Sequence, residues 1–202
     1  MTGFDPVFVR SSISKIQSSY DELMRALATQ MQTNFVDSMA NYWACNQAQN
    51  FFQTAFKKEA DELLSNSYKI FESVISAMNQ GALSWAQQTN SDWSIVSFNG
   101  QLKKINVDNI KENINGIRGV DKVNATATVE KLQIIAMNAS SALESAKISV
   151  LNCGFIGRNQ EEQLMEALNT IKNKINNAID NLTDSTKRAI DNTISSYGNF
   201  TF

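Results

Sequence analysis

Residues 41–52 read NYWACNQAQNFF, from Asn41 to Phe52, and they lie between two long runs of helix-forming sequence. A break between helices is ordinarily written in Gly, Pro and small polar residues. Here it carries Trp43, one of three tryptophans in 202 residues. Upstream, Ile13, Ile16, Tyr20, Leu23 and Leu27 keep the three-four spacing of one helix face, and Met31, Phe35 and Met39 continue it with a small shift. Downstream, Phe52, Phe56, Leu63, Ile70 and Met78 begin a second run. The pattern predicts a helical hairpin with an aromatic residue at its turn.

The same arrangement recurs later in the chain. Leu132, Ile135, Ala139 and Ala142 mark a third run, and Leu164, Leu168, Ile171, Ile175, Ala178, Leu182, Ser185 and Ala189 a fourth. A shift of 112 positions carries Tyr20, Leu23 and Leu27 onto Leu132, Ile135 and Ala139, and Phe52 and Phe56 onto Leu164 and Leu168, without a gap. It also carries Trp43-Ala44-Cys45 onto Phe155-Ile156-Gly157, so both copies break at an aromatic residue. A small residue two places on lets the chain reverse, a role Gly157 suits better than Cys45.

The chain therefore divides into a first hairpin over residues 1–89, a linker over 90–121 and a second hairpin over 122–202. The linker has room for a short amphipathic helix through Val107, Ile110, Ile114 and Ile117. About thirty residues is long for a connection inside a compact domain. Hairpins packed with their turns at opposite ends need a connection of that reach, whereas turns at one end would need only a few residues. The expected fold is all-α: two helical hairpins forming an antiparallel four-helix bundle, the linker laid along it, Trp43 and Phe155 capping its opposite ends.

Composition narrows the chemistry. There is no histidine, which removes the commonest general base and a leading metal ligand. Cys45 and Cys153 are too few for a disulfide framework and too isolated for a zinc site, and they read as small turn residues. The acidic groups Asp61-Glu62 and Glu161-Glu162-Glu166 lack the Glu-x-x-His pairs of a di-metal bundle and read as solvated faces. No catalytic, cofactor-binding or metal-binding residue is expected. Lys and Arg number 6 against 9 Asp and Glu in residues 1–101, and 12 against 11 in the remainder, so nucleic acid is not an expected partner. The first residues, MTGFDPVFVR, lack the basic and apolar regions of a cleavable leader, and no stretch reaches membrane-span length. Phe51, Trp93 and Phe98 lie off the helix stripes and are expected to pack the linker onto the helices or to form an apolar surface.

YWACNQAQNFF, with a helix on each side, resembles the Trp-x-Gly hundred-residue (WXG) family of type VII secretion substrates. Cys45 stands where that family has glycine, and Phe155 where it has tryptophan. The resemblance implies two family units fused into one polypeptide, an intramolecular version of the family's antiparallel dimer. It further implies a non-enzymatic exported substrate, chaperone or toxin adaptor, with another WXG-like protein, a secretion ATPase or a toxin as its partner. Tyr68-Lys-Ile-Phe-Glu72 matches the family's Tyr-x-x-x-Asp/Glu export signal, although it falls inside a helix. The expected location is secreted or cell-surface without a cleavable signal peptide, and otherwise cytoplasmic; the expected state is a monomer or weak homo-oligomer. The alternative is a structural coiled-coil component of a filament, tail or pore-forming assembly.

Overall fold

Pro6 is the only proline, and it stands where a helix tolerates one. In a computed structural model that describes residues 4–154 and 157–202, helix α1 (Pro6–Met24) begins at it. Asp5 caps the start, its Oδ1 accepting from the amides of Val7 (3.0 Å) and Phe8 (3.3 Å). With no later proline to interrupt the ladder, 75% of the described residues are helical, in four long runs. The first joins α1, a π-helical stretch Arg25–Val36 and α2 (Asp37–Met39). The second joins α3 (Asn46–Phe51), a π-helical stretch Phe52–Phe56 and α4 (Lys57–Thr89). α5 (Lys122–Leu151) and α6 (Arg158–Tyr197) complete the set, and among the described residues strand is confined to β1 (Trp43–Ala44) paired with β2 (Gly119–Val120).

The π-helical stretches account for the shift of face upstream of Trp43. Leu27, Met31, Phe35 and Met39 are all buried at strict four-residue spacing, as are Ala48, Phe52, Phe56, Ala60 and Leu64. Four residues overshoot an α-helical turn by about 40°, so such a series would spiral away from the core. The wider i→i+5 winding holds it to one side.

The chain forms two compact units, and each draws on both halves of the sequence. One comprises Met1–Leu23, Ser65–Leu102 and Ala139–Asn173. Its core holds Ile13, Ile16 and Tyr20 of α1, Phe71, Val74 and Met78 of α4, Leu143 and Ala146 of α5, and Leu168 and Ile171 of α6. Glu144 of α5 joins α6 in this unit, accepting from Lys172 (2.7 Å) and Lys147 (3.1 Å). Those two ammonium groups hold its carboxyl below the ordinary range. The second unit comprises Met24–Leu64, Lys103–Asn138 and Lys174–Phe202. An aromatic cluster dominates it: Phe35 packs on Phe52 and Phe56 at centroid distances of 5.8 and 5.5 Å, and Trp43 packs on Phe51 and Phe52 at 5.7 and 5.9 Å.

Some stripe positions differ from the sequence pattern. Ile70 is only half-buried, and Phe71 takes the core position beside it. Ser185 and Ala189 yield the core to Thr186, Ile190 and Thr193. A long helix drifts relative to a fixed seven-residue repeat, so the buried positions move one residue along.

The linker is irregular backbone with turns rather than helix, which corrects the expectation of a short helix through Val107, Ile110, Ile114 and Ile117. Asn115 (φ 51°) and Gly116 (φ 81°) both take left-handed backbone, the requirement of a tight hairpin turn, and Ile114 and Ile117 exchange hydrogen bonds of 3.0 and 2.9 Å across it. Side-chain amides of the helices hold the rest. In the first unit Asn79 donates to Val96 O and accepts from Val96 N, both at 2.8 Å. Gln17 accepts from the Asn99 amide at 3.1 Å. In the second, Gln32 donates to Asn106 O (2.9 Å) and accepts from Asn106 N (2.8 Å). Phe98 packs edge-on against Tyr20 (4.9 Å), Trp93 packs edge-on against Phe4 (5.9 Å), and Phe51 lies in the aromatic cluster. The off-stripe aromatics therefore pack within their own units, Phe51 buried and Trp93 and Phe98 half-buried.

Candidate functional site

The first helical run ends at Met39, and a turn at Ala40–Tyr42 delivers Trp43 into β1. Trp43, Ala44 and Cys45 are all fully buried. Three segments close over them. β1 pairs antiparallel with β2, Trp43 opposite Val120 and Ala44 opposite Gly119, and the Asp121 amide donates to Tyr42 O at 2.7 Å. Val120 in turn bridges in parallel to Asn199, and the Phe200 amide donates to Val120 O at 2.9 Å. The Phe200 ring lies so close to Gly119, whose φ is +153°, that no side chain fits there.

The indole N–H of Trp43 donates to Thr193 Oγ1 of α6 at 3.0 Å. The Thr193 hydroxyl has one proton to give, and its acceptors are Ala189 O (3.0 Å) and Gln47 Oε1 (3.2 Å). Cys45 Sγ lies 3.9 Å from the same hydroxyl and accepts from the Ala48 amide at 3.4 Å, so the thiol caps the start of α3. Its backbone is extended (φ −174°), a conformation open to any residue, so cysteine carries no strain there. Buried and committed to a cap, the thiol is inaccessible to a substrate or an oxidant.

Of the second turn, Phe155 and Ile156 lie outside the described residues. Gly157 immediately precedes α6, its carbonyl accepting from Gln160 and Glu161 at 2.9 Å each, just as Cys45 immediately precedes α3. Among the described residues of this turn Gly154 takes left-handed backbone (φ 69°), and a Cβ on Gly157 would meet open space. Cys153 is buried and belongs to the other compact unit from Cys45.

Tyr68 and Glu72 both lie within α4. The Tyr68 ring packs on Phe98 (5.2 Å) and Tyr20 (6.2 Å), whereas Glu72 is exposed. Glu72 lines an open groove of about 380 Å³ with Asn79, Gln80, Leu83 and Ile95. Tyr20 is buried, and its hydroxyl donates to Gln101 O at 2.9 Å. Burial chiefly, with Tyr68 and Asp21 adding, pushes its pKa up to about 12.

Thr193, Gln47 and the linker-holding amides were not singled out by sequence reasoning. A sequence signal exists for Asn79, which sits among the apolar residues Val74, Ile75, Met78 and Ala82 of α4. None exists for Thr193, which meets Trp43 from 150 positions away. Among the described residues no group of three or more His, Cys, Asp or Glu could hold a metal ion, and no helix is long and apolar enough to cross a membrane. No family model matches the chain, and neither a curated protein nor a solved structure matches it.

Proposed function

We propose that this chain is a non-enzymatic protein of the type VII secretion kind: two WXG-like hairpins fused in one polypeptide and packed as an antiparallel four-helix bundle. It acts as exported substrate, chaperone or toxin adaptor by docking helices on a protein partner. The observation that carries the reading is the matched pair of helix breaks. Met39 and Leu151 end the first and third helical runs, Asn46 and Arg158 begin the second and fourth, and each pair stands 112 positions apart. Trp43 occupies the first break, and Cys45 and Gly157 both stand at the residue before the next helix.

Expression in a bacterium with an intact type VII system, and in the same strain without its secretion ATPase, tests the reading. The chain is expected in the medium of the first culture alone, with its neighbouring genes supplied. Glu72→Ala is the cleaner variant of the export motif, because Tyr68 is packed and its removal would also disturb the core. Equal export from both strains, or from neither, refutes the reading. The second reading, a structural helical component of a larger assembly, is favoured by the outer face of α5, which exposes Val123, Ile134, Met137 and Ile148.

A further inference from the structure

An asparagine followed by glycine carries its own reagents. The backbone nitrogen of the glycine can attack the side-chain carboxamide, and glycine has no Cβ to obstruct the approach. The chain has two such pairs, Asn99-Gly100 and Asn115-Gly116. The structure holds them very differently. Gln17 accepts from the Asn99 amide at 3.1 Å and Tyr20 donates to Gln101 O at 2.9 Å, so the backbone is pinned on both sides of the first pair. Gly100 itself is half-buried against the rings of Phe98 and Tyr20. The second pair forms the tip of the Ile114–Ile117 hairpin. Asn115 and Gly116 are both exposed, and a Cβ on Gly116 would meet nothing within 4 Å.

The turn itself is the brake on the reaction. With φ positive at both residues, the Gly116 nitrogen points away from Asn115 Cγ, so the hairpin must open before the two meet. Besides the two Ile114–Ile117 bonds, it is held by the Gly116 amide donating to Asn113 Oδ1 at 3.1 Å and by Arg118 paired with Glu112, both at the surface. Exposed backbone bonds at a loop tip are among the first to open. We infer that Asn115-Gly116 is a self-modification site whose rate the hairpin sets. In the opened turn the Gly116 nitrogen bonds to Asn115 Cγ, the carboxamide C–N bond breaks, and the proton of the Gly116 amide leaves with the ammonia. Water then opens the succinimide at either carbonyl, giving aspartate or isoaspartate. The isoaspartyl link runs the main chain through Cβ and Cγ, one atom longer than before, and a two-residue turn no longer fits it. The change is one-way. An uncharged tip becomes an open, anionic loop beside a cavity of about 420 Å³ that Asn113 and Asn115 line with Asp37, Asn41 and Lys111. The inference stands apart from the secretion reading, since it rests on the linker alone.

Prolonged incubation of the full chain in mildly alkaline buffer, followed by tryptic mass mapping, tests it. Cleavage after Lys111 and Arg118 isolates Glu112–Arg118, whereas Asn99 falls in the peptide that ends at Lys103. In the folded chain Asn115 is expected to gain one mass unit at least about tenfold faster than Asn99, because only its backbone opens readily. In denaturant the two should convert at similar rates. Asn113→Ala frees the Gly116 amide and should quicken conversion of Asn115 several-fold. The isoaspartyl chain, separated by its added negative charge, should lose the exchange protection of the Ile114 and Ile117 amides. An Asn115 still intact in the folded chain when the denatured chain has converted, Asn99 converting at the same pace in the folded chain, an Asn115 rate untouched by Asn113→Ala, or an isoaspartyl chain that keeps its hairpin protection would each overturn the inference.

Discussion

Replacing Thr193 by valine keeps the shape of the side chain and deletes the acceptor that the Trp43 indole has among the described residues. The N–H is then stranded in a site where Trp43, Cys45 and Thr193 are all fully buried. An unpaired buried donor costs about 1–3 kcal/mol. The hydroxyl's own donation, to Ala189 or Gln47, is replaceable, because the Gln47 side chain is exposed. For a chain of this length 1 kcal/mol lowers Tm by about 2–4 °C, so Thr193→Val should melt roughly 2–12 °C early. Trp43→Phe removes the donor and part of the ring, at a cost of roughly 2–3 kcal/mol from the cavity it leaves. In that background Thr193→Val strands nothing, and it should cost at least about 1 kcal/mol less than in the wild type. Thermal and denaturant melts of the four proteins, followed by circular dichroism, give the coupling directly. Equal costs of Thr193→Val in both backgrounds would show that the indole bond is not what Thr193 contributes.

Three further outcomes are expected. Residues 1–95 and 120–202 expressed separately should each lack a cooperative melt and regain one when mixed, because both compact units draw on both halves; two independently folded halves that ignore each other would refute this. Asn79→Leu removes two 2.8 Å hydrogen bonds to Val96, so the amides around Val96 should exchange with solvent at least about tenfold faster while the helices keep their protection; unchanged exchange there would show that the linker is held by other contacts. Tyr20 should remain protonated to about pH 12 in the folded chain. Its raised value means stability is complete below pH 10 and is lost between pH 10 and 12 as the unfolded chain ionises, by up to roughly 3 kcal/mol; absorbance titration that shows all four tyrosines ionising together near 10 would contradict it.

Apolar spacing revealed the helices because burial on one side of a helix leaves a period in the chain. It failed where the same period arises otherwise. Val107, Ile110, Ile114 and Ile117 have helical spacing, yet Val107 and Ile110 are buried at the two ends of a single turn, the Ile110 amide donating to Val107 O at 3.1 Å, and the other two face each other across the Asn115-Gly116 turn. The Asn-Gly pair was the legible signal there, since both residues accept the positive φ that a two-residue hairpin needs. The tryptophan turn was legible as a break, but its partners were not: Thr193, Val120 and Asn199 reach it only through the tertiary fold.

The amide content of the chain has a physical reading that becomes available only once the linker is placed. An extended segment without a neighbouring strand leaves each of its peptide groups with a donor and an acceptor to satisfy. A carboxylate could meet only the donor and an ammonium only the acceptor. An Asn or Gln side chain presents both at the spacing of a peptide, and Asn79 and Gln32 use both on a single linker residue, Val96 and Asn106 respectively. The helices thereby stand in for the missing strand. Exchanging these amides for Asp or Lys would preserve polarity and lose the match, so their uncharged character is part of how the linker is held.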